Sequence, residues 1–128
     1  MTFKFALITG ANRGLGFEIA KQILNSGPNT AVILTGRRQR AIEEAANALL
    51  IHSSSSRDTN SKSQRVFRFE MDVRSPDQIE WVHQQVKNTV TDSLDVLVNN
   101  AAIMVKDQSM SSCVDEKCIR DTIETNFF

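Results

Sequence analysis

The chain has 128 residues, of which 41% are hydrophobic and 23% charged, as is ordinary for one globular domain or part of one. Its 15 basic and 15 acidic residues balance, which gives no electrostatic reason to expect a nucleic acid or a membrane surface as a partner. No apolar run approaches the ~18 residues of a membrane span. The 2 cysteines form no metal-binding pattern, so a reducing, cytoplasmic setting is predicted.

The first predicted elements are a buried strand and a helix, separated by a glycine-rich turn. The apolar run from Phe3 to Thr9 is typical of a buried strand, and the turn follows in the sequence TGANRGLG, Thr9 to Gly16. Apolar residues then recur at helical spacing until the Gly27-Pro28 pair ends the helix. Three of the chain's 5 glycines lie in this one turn, which therefore needs an explanation.

Strands and helices continue to alternate through the middle of the chain. The sequence AVILTG, residues 31–36, indicates a second buried strand, and apolar residues between 41 and 50 indicate the next helix. The serine-biased stretch 53–64 is predicted to be a surface loop. In RVFRFEMDV, residues 65–73, apolar and polar residues alternate, which is typical of a half-exposed strand at the edge of a sheet.

The last predicted elements are two helices with a strand between them. Ser75-Pro76-Asp77 has the cap, the proline and the acid of a helix start. The sequence LDVLVNN, residues 94–100, indicates a fourth strand that is apolar on both faces, and a final helix is expected to begin near Asp115. The alternation predicts an α/β fold with parallel strands and with helices on both faces of the sheet.

The glycines of the turn have the surroundings of a phosphate-binding turn. Gly10 can make the tight turn that leaves the strand. Gly14 and Gly16 lack side chains, so a pyrophosphate can approach the backbone and the helix can pack on the sheet. The helix N-terminus adds free N–H groups and a partial positive charge. An ordinary glycine turn is the alternative, but the flanking strand and helix favour dinucleotide binding.

The motifs together resemble those of the short-chain dehydrogenase/reductase family. The turn has the spacing TGxxxGxG in place of the standard G-x-G-x-x-G, and NNAA at 99–102 is similar to the family's NNAG, with Ala102 replacing glycine. MDV at 71–73 also matches, and TNFF at 125–128 with LDVLVNNA is most similar to the carbonyl reductase branch. The resemblance implies a Rossmann-type doubly wound parallel sheet, incomplete, with its first four strands in the order 3-2-1-4.

The same resemblance implies that the cofactor is NADP(H). The residues expected to contact it are Gly10, Asn12, Arg13, Gly14, Leu15, Gly16, Arg37, Asp72, Val73 and Asn100. An NAD-binding fold usually has an acidic residue about 20 residues after the glycines, but here that region is TGRRQR, and the first acid to follow it is Glu43. Arg13 and Arg37 suit a 2′-phosphate by charge and by their fork of donors, with solvated surface arginines as the alternative. Arg38 either shares this role or covers the adenine.

Two pairs of residues at predicted strand ends have alternative roles. The Asp72 carboxylate is expected to accept a hydrogen bond from the adenine amino group, with a second contact from the Val73 backbone. A capping or turn role for Asp72 is nearly as well supported.

Asn99 and Asn100 follow an apolar strand at the end where ligands bind in open α/β sheets, and buried amides need partners. The resemblance implies that Asn100 lines the cofactor path and that Asn99 ties neighbouring strands together, unless both are structural.

The catalytic residues implied by the resemblance lie at or beyond the end of the chain. Asn126 is predicted to hold a water in a proton relay, with a hydrogen-bonded core asparagine as the alternative. The chain contains no tyrosine for the family's Tyr-x-x-x-Lys pair and ends at Phe128. We therefore expect residues 1–128 to be the N-terminal, NADP-binding part of a reductase of carbonyl compounds, without its catalytic half and inactive alone. The alternative is a truncated module that binds a dinucleotide without turnover.

Overall fold

The computed structural model describes residues 3–51 and 65–102, in which strands and helices alternate. The elements are β1 (Lys4–Thr9), α1 (Gly14–Asn25), β2 (Thr30–Gly36), α2 (Gln39–Ile51), β3 (Val66–Glu70), α3 (Pro76–Thr89) and β4 (Val96–Val98). The predicted loop at 53–64 and the predicted helix from Asp115 lie outside the described residues. None of the helices in the described ranges is long and apolar enough to cross a membrane.

The strands form one parallel sheet in the order β3-β2-β1-β4, which confirms the predicted order. β1 pairs along its whole length with β2 on one side, and residues 6–8 pair with β4 on the other. Because all the strands run in the same direction, their carboxyl ends at Thr9, Gly36, Glu70 and Val98 lie along one edge of the sheet. In open α/β sheets this is the edge where ligands bind.

Successive residues of the central strands point into opposite core layers. Ile8 and Leu34 belong to the layer beneath α1 and α2, whereas Leu7 and Ile33 belong to the layer beneath α3. All four are buried, as expected for strands covered on both faces, whose sequences become continuous apolar runs. Helices on both faces of the sheet confirm the doubly wound arrangement.

β3 is an edge strand, as predicted, but it is shorter than the alternating sequence from 65 to 73. Phe67 and Phe69 pack on the core layer beneath α3, while Arg68 between them is exposed, so the predicted alternation is confirmed. The strand ends at Glu70 because the residues that follow form a tight turn into α3.

β4 differs from its prediction in both length and surroundings. The sequence indicates an interior strand over 94–100, apolar on both faces, but the strand covers only the centre of that range. Val96 and Leu97 are 46% and 56% exposed. The reason is that β4 pairs with β1 alone among the described strands, so its outer edge is open there.

α3 begins as predicted. The Ser75 side chain accepts a hydrogen bond from the Gln78 backbone N–H at 3.3 Å, and Pro76 is the first helical residue. Val82 and Val86 on its inner face are buried, and these contacts fix α3 against the sheet. The turn between β3 and α3 is therefore held at both ends.

A buried arginine that sequence reasoning missed closes the end of α1 that lies away from the site. Arg65 is 6% exposed, and its Nη1 donates to the carbonyl oxygens of Thr30 at 2.8 Å, Gly27 at 3.0 Å and Leu24 at 3.3 Å. A buried charge is costly unless it is hydrogen-bonded, and the carbonyls at a helix C-terminus supply acceptors. The guanidinium therefore joins the start of β3 to the end of α1.

Candidate functional site

A cavity of about 430 Å³ lies at the carboxyl edge of the sheet, in the volume range of small-molecule sites. The predicted site residues that line it are Gly10, Asn12, Arg13, Gly14, Arg37, Val73 and Asn100. Leu15, Gly16 and Asp72 adjoin the cavity in sequence without lining it, and Asn126 lies outside the described residues. Gly36, Ala41 and Met71 also line it and were missed, although the ends of the second and third predicted strands could have indicated Gly36 and Met71.

Gly10 and Gly14 adopt backbone conformations that favour glycine. Their φ angles are 64° and 62°, in the left-handed region that side chains rarely adopt. A Cβ on Gly10 would also lie 2.9 Å from Ala101 Cα, so this turn packs directly against the residues that follow β4. At Gly14 there is nothing within 4 Å of a Cβ position, and the cavity reaches its backbone. Gly14 is therefore the glycine that leaves the backbone open to a ligand.

Gly16 has a different role from the one shared with Gly14 in the sequence prediction. It is buried, and a Cβ there would lie 2.5 Å from Asn100 Nδ2 and 2.6 Å from the carbonyl oxygen of Gly10. Its missing side chain thus lets α1 pack closely on the strand ends. Leu15, next to it, is 68% exposed and does not line the cavity.

The N-terminus of α1 is arranged as an anion site. Arg13 is its cap residue, with an extended backbone (φ −162°, ψ 169°), and its side chain makes no capping hydrogen bond. The first turn contains no acidic residue. The N–H groups of this turn and the positive end of the helix dipole are therefore free of a competing carboxylate from the first turn.

Three arginines give the cavity its charge. Arg13, Arg37 and Arg38 all line it and are exposed, and no acidic residue is among its described lining residues. Arg37 and Arg38 lie between the end of β2 and the start of α2, so the second strand–helix unit places them opposite the glycine turn of the first. Guanidinium groups in such a place bind phosphate with paired hydrogen bonds.

Asp72 takes the turn role that the sequence left open. Its Oδ1 accepts hydrogen bonds from the backbone N of Arg74 at 2.9 Å and from Arg74 Nε at 3.4 Å, and its Oδ2 accepts from Arg74 Nη2 at 3.2 Å. Burial raises the pKa of the Asp72 carboxyl, but the hydrogen bonds and charge of Arg74, with the charge of Arg37, outweigh it and lower the pKa below its ordinary value. Its neighbours Met71 and Val73 line the cavity, whereas Asp72 is not among the lining residues.

The strand ends behind the cavity are tied together by Thr9 and Asn100. Thr9 is 5% exposed, and its Oγ1 accepts from the backbone N of Asn100 at 3.0 Å and from that of Ala101 at 2.9 Å. Asn100 Nδ2 donates to the carbonyl oxygen of Gly10 at 3.2 Å. Thr9 was missed as a site residue, although a hydroxyl at the end of a buried strand must find a partner and could have been suspected for that reason.

Among the residues that the structure describes, Asn99 makes no hydrogen bond that ties neighbouring strands together, although the resemblance implied such a tie. It is exposed instead of buried, and it lines a second cavity of about 490 Å³ on the α3 side of the sheet, with Leu7, Val82 and Leu97. Successive residues leaving a strand point to opposite faces, so only one of the two asparagines can reach the glycine turn. The structure gives that position to Asn100.

A parallel sheet in the order β3-β2-β1-β4, with helices on both faces and a glycine turn after β1, defines a Rossmann-type α/β protein. The chain belongs to the short chain dehydrogenase family, whose sequence profile matches residues 4–128. It is 36% identical over 102 residues to (+)-neomenthol dehydrogenase of Arabidopsis thaliana, an alignment that covers 80% of this chain and 31% of that protein.

Two solved structures show the same arrangement of elements. Menthone neomenthol reductase from Mentha piperita is 32% identical with a TM-score of 0.71, over 81% of this chain and 33% of that one. An alcohol dehydrogenase from the archaeon Thermococcus sibiricus, complexed with 5-hydroxy-NADP, is 26% identical with a TM-score of 0.75, over 96% of this chain and 46% of that one. The chain spans less than half the length of each of these relatives.

Proposed function

We propose that residues 1–128 form the NADP(H)-binding part of a short-chain reductase that reduces carbonyl compounds to alcohols by hydride transfer. The observation that carries the proposal is the cluster of Arg13, Arg37 and Arg38 around a glycine-lined cavity whose described lining contains no acidic residue. The names of two relatives, a menthone neomenthol reductase and a neomenthol dehydrogenase, support a small carbonyl compound or alcohol as the substrate class.

The glycine turn and the start of α1 fit a pyrophosphate. Gly14 offers open backbone, and the first-turn N–H groups of α1 supply donors and the positive end of the dipole. Asn12 and Gly10 line the same side of the cavity. Because these donors belong to a turn packed tightly against Ala101 and Asn100, they are fixed in place before the ligand arrives.

The arginines fit the phosphate that distinguishes NADP from NAD. An NAD-binding site of this fold places a carboxylate near the ribose 2′-OH, whereas Arg37 and Arg38 follow the end of β2 here. A guanidinium can donate two parallel hydrogen bonds to a phosphate and would leave a 2′-OH without an acceptor. The residues therefore support NADP(H) over NAD(H).

When bound, the dinucleotide supplies the hydride that reduces the carbonyl carbon. This chain's residues hold and orient the cofactor: the arginines at its adenosine end, the turn at its pyrophosphate, and Asn100 and Ala101 on the side of the cavity formed by the end of β4. Asn126 is proposed to hold a water in the proton relay, as the family resemblance implies.

A second candidate function is a dinucleotide-binding module without turnover. The 128 residues contain no tyrosine, and the family resemblance assigns proton donation to a tyrosine. Sequencing the transcript past the codon for Phe128 separates the candidates, because a reductase requires a continuation that encodes Tyr-x-x-x-Lys.

The proposal is tested by binding and turnover measured on the same full-length protein. NADPH and NADH are titrated at one salt concentration with protein fluorescence as the readout, and menthone is then supplied as a first probe ketone while NADPH absorbance is followed. We expect tighter binding of NADPH than of NADH and consumption of NADPH that depends on the ketone. Equal affinity for the two cofactors contradicts the cofactor assignment, and binding without turnover of any ketone favours the module.

A further inference from the structure

The turn between β3 and α3 is fixed from several directions. The backbone N of Asp72 donates to the Gln78 side chain at 2.8 Å, and the backbone carbonyl oxygen of Asp72 accepts from the backbone N of Ser75 at 3.0 Å. Ser75 in turn caps α3. Val73, within this turn, lines the cofactor cavity. The backbone of Asp72 is therefore fixed between Met71 and Val73, which both line the cavity, and its carboxylate is close enough to the lining residue Arg37 to be affected by its charge.

The hydrogen bonds from Arg74 determine which acceptor positions of that carboxylate remain available to a ligand. A carboxylate has about four acceptor positions, two on each oxygen. Within residues 3–51 and 65–102, Oδ1 of Asp72 accepts from the backbone N and from Nε of Arg74, whereas Oδ2 accepts from Arg74 Nη2 alone. The guanidinium therefore donates to the carboxylate through two nitrogens, Nε and Nη2. These contacts and the backbone hydrogen bond leave one acceptor position, on Oδ2.

We propose that Arg74 is a positioning residue that directs the free acceptor position of Asp72 Oδ2 at the amino group of the cofactor's adenine. This inference rests on the proposed NADP(H) site. Without the Arg74 side chain, the Asp72 carboxylate would retain, among its described contacts, only the hydrogen bond from the backbone N of residue 74 and could rotate. The side chains of the pair are 35% and 23% exposed, so the contact is shielded enough to hold its geometry while the carboxylate stays accessible to a ligand.

The proposal predicts a preference between bases that a merely structural role does not produce. Adenine carries an amino donor at the position where hypoxanthine carries a carbonyl oxygen. We therefore compare the dissociation constants of NADPH and of reduced nicotinamide hypoxanthine dinucleotide phosphate. In the wild-type full-length protein NADPH should bind roughly tenfold or more tightly, as expected for a hydrogen bond to a charged acceptor.

The variants are Arg74→Ala and Arg74→Lys, with Arg40→Ala as the matched control. The Arg40–Glu44 pair has the same 3.2 Å separation as Arg74–Asp72, but its side chains are 92% and 69% exposed and it does not line the cavity. In Arg74→Ala the ratio of the two dissociation constants should fall below about threefold. Arg74→Lys, which keeps the charge but not the fork, should give an intermediate ratio, and Arg40→Ala should leave the ratio unchanged.

The outcomes separate this inference from the function on which it rests. A wild-type ratio near one, with NADPH still bound, overturns the adenine contact and leaves the cofactor assignment standing. An Arg74→Ala ratio equal to that of the wild type overturns the role of Arg74 alone. If the wild type binds neither dinucleotide, the result contradicts both the proposed function and this inference. If Arg74→Ala does not fold, the ratio in Arg74→Lys decides, and an unchanged ratio there overturns the proposal.

Discussion

Asn100 Nδ2 donates to the carbonyl oxygen of Gly10, with 3.2 Å between the two atoms, and this bond crosses the spot where Gly16 has no side chain. The end of β4, the turn after β1 and the first turn of α1 thus meet at one point. The direction of the α1 N-terminus, and with it the anion site, depends on that close contact.

The first prediction concerns Gly16. In Gly16→Ala the new Cβ would lie 2.5 Å from Asn100 Nδ2 and 2.6 Å from Gly10 O, so either α1 must shift or the hydrogen bond must break. We expect a loss of about 1–3 kcal/mol in the free energy of unfolding, typical of overpacking, together with weaker NADPH binding. Urea unfolding and a cofactor titration measure both effects.

Gly27→Ala is the control for that substitution. Gly27 has nothing within 4 Å of a Cβ position and no left-handed φ, so alanine there should be neutral or stabilise the protein slightly. Equal effects of the two substitutions would show that close packing at Gly16 does not govern the site.

The second prediction concerns Thr9, whose hydroxyl accepts a hydrogen bond from the backbone N–H of Ala101 at 2.9 Å. Thr9→Val keeps the shape of the side chain but leaves that N–H without its acceptor. We expect the free energy of unfolding to fall by about 1–3 kcal/mol. Thr89→Val, at an exposed position at the end of α3, is the matched control and should change it by less than about 0.5 kcal/mol. A Thr9 variant as stable as the control would contradict the role of the hydroxyl as a tie.

The sequence predicts the elements better than it predicts their partners. Apolar runs and the Ser75-Pro76 helix start locate β1, β2 and α3 because these signals are local. Which of Asn99 and Asn100 reaches the glycine turn depends on the face to which each points after the strand ends, and no local pattern gives that. The buried position of Arg65 likewise depends on carbonyls far away in sequence, at the end of α1 and the start of β2. The strand order was predicted from family resemblance and the edge pattern of β3 together.

The third prediction concerns cofactor preference. Arg37 lines the cavity at the end of β2, and Arg37→Asp places a carboxylate where the 2′-phosphate is proposed to bind. Losing a charge-assisted hydrogen bond should cost about 1.5–3 kcal/mol of NADPH binding, so the preference for NADPH over NADH should flatten or reverse. Arg40→Asp, nearby on α2 but outside the cavity lining, should keep the wild-type preference. Titrations of both cofactors at fixed salt give the ratio of their dissociation constants. An unchanged ratio in Arg37→Asp would contradict the assignment of Arg37 to the 2′-phosphate.

The fourth prediction concerns acid. The pKa of Asp72 in the folded protein lies below its ordinary value of 3.8, because the hydrogen bonds and charges of Arg74 and Arg37 outweigh the opposing effect of burial. A lowered folded pKa stabilises the folded state above pH 3.8, and this contribution is lost as the pH falls below 3.8 through the folded value. Wild type should therefore be more stable than Asp72→Asn near neutral pH, and the difference should shrink below that point. Unfolding curves of both proteins from neutral to acid pH measure it, and a difference that stays constant contradicts the ion pair.

The fifth prediction concerns the outer edge of β4 in a 128-residue chain produced alone. Leu94, Val96 and Leu97 are 39%, 46% and 56% exposed, and no described strand pairs with that edge. An exposed apolar edge is a template for pairing with another chain, so this polypeptide should associate as its concentration rises and should not reduce carbonyl compounds. Leu97→Lys should reduce the association because a charged side chain on an edge strand opposes pairing, whereas Lys87→Leu on α3 should not reduce it. Light scattering after gel filtration measures the size, and NADPH absorbance measures turnover. A monomer that unfolds cooperatively and consumes NADPH with a ketone would contradict both the open edge and the need for residues beyond this chain.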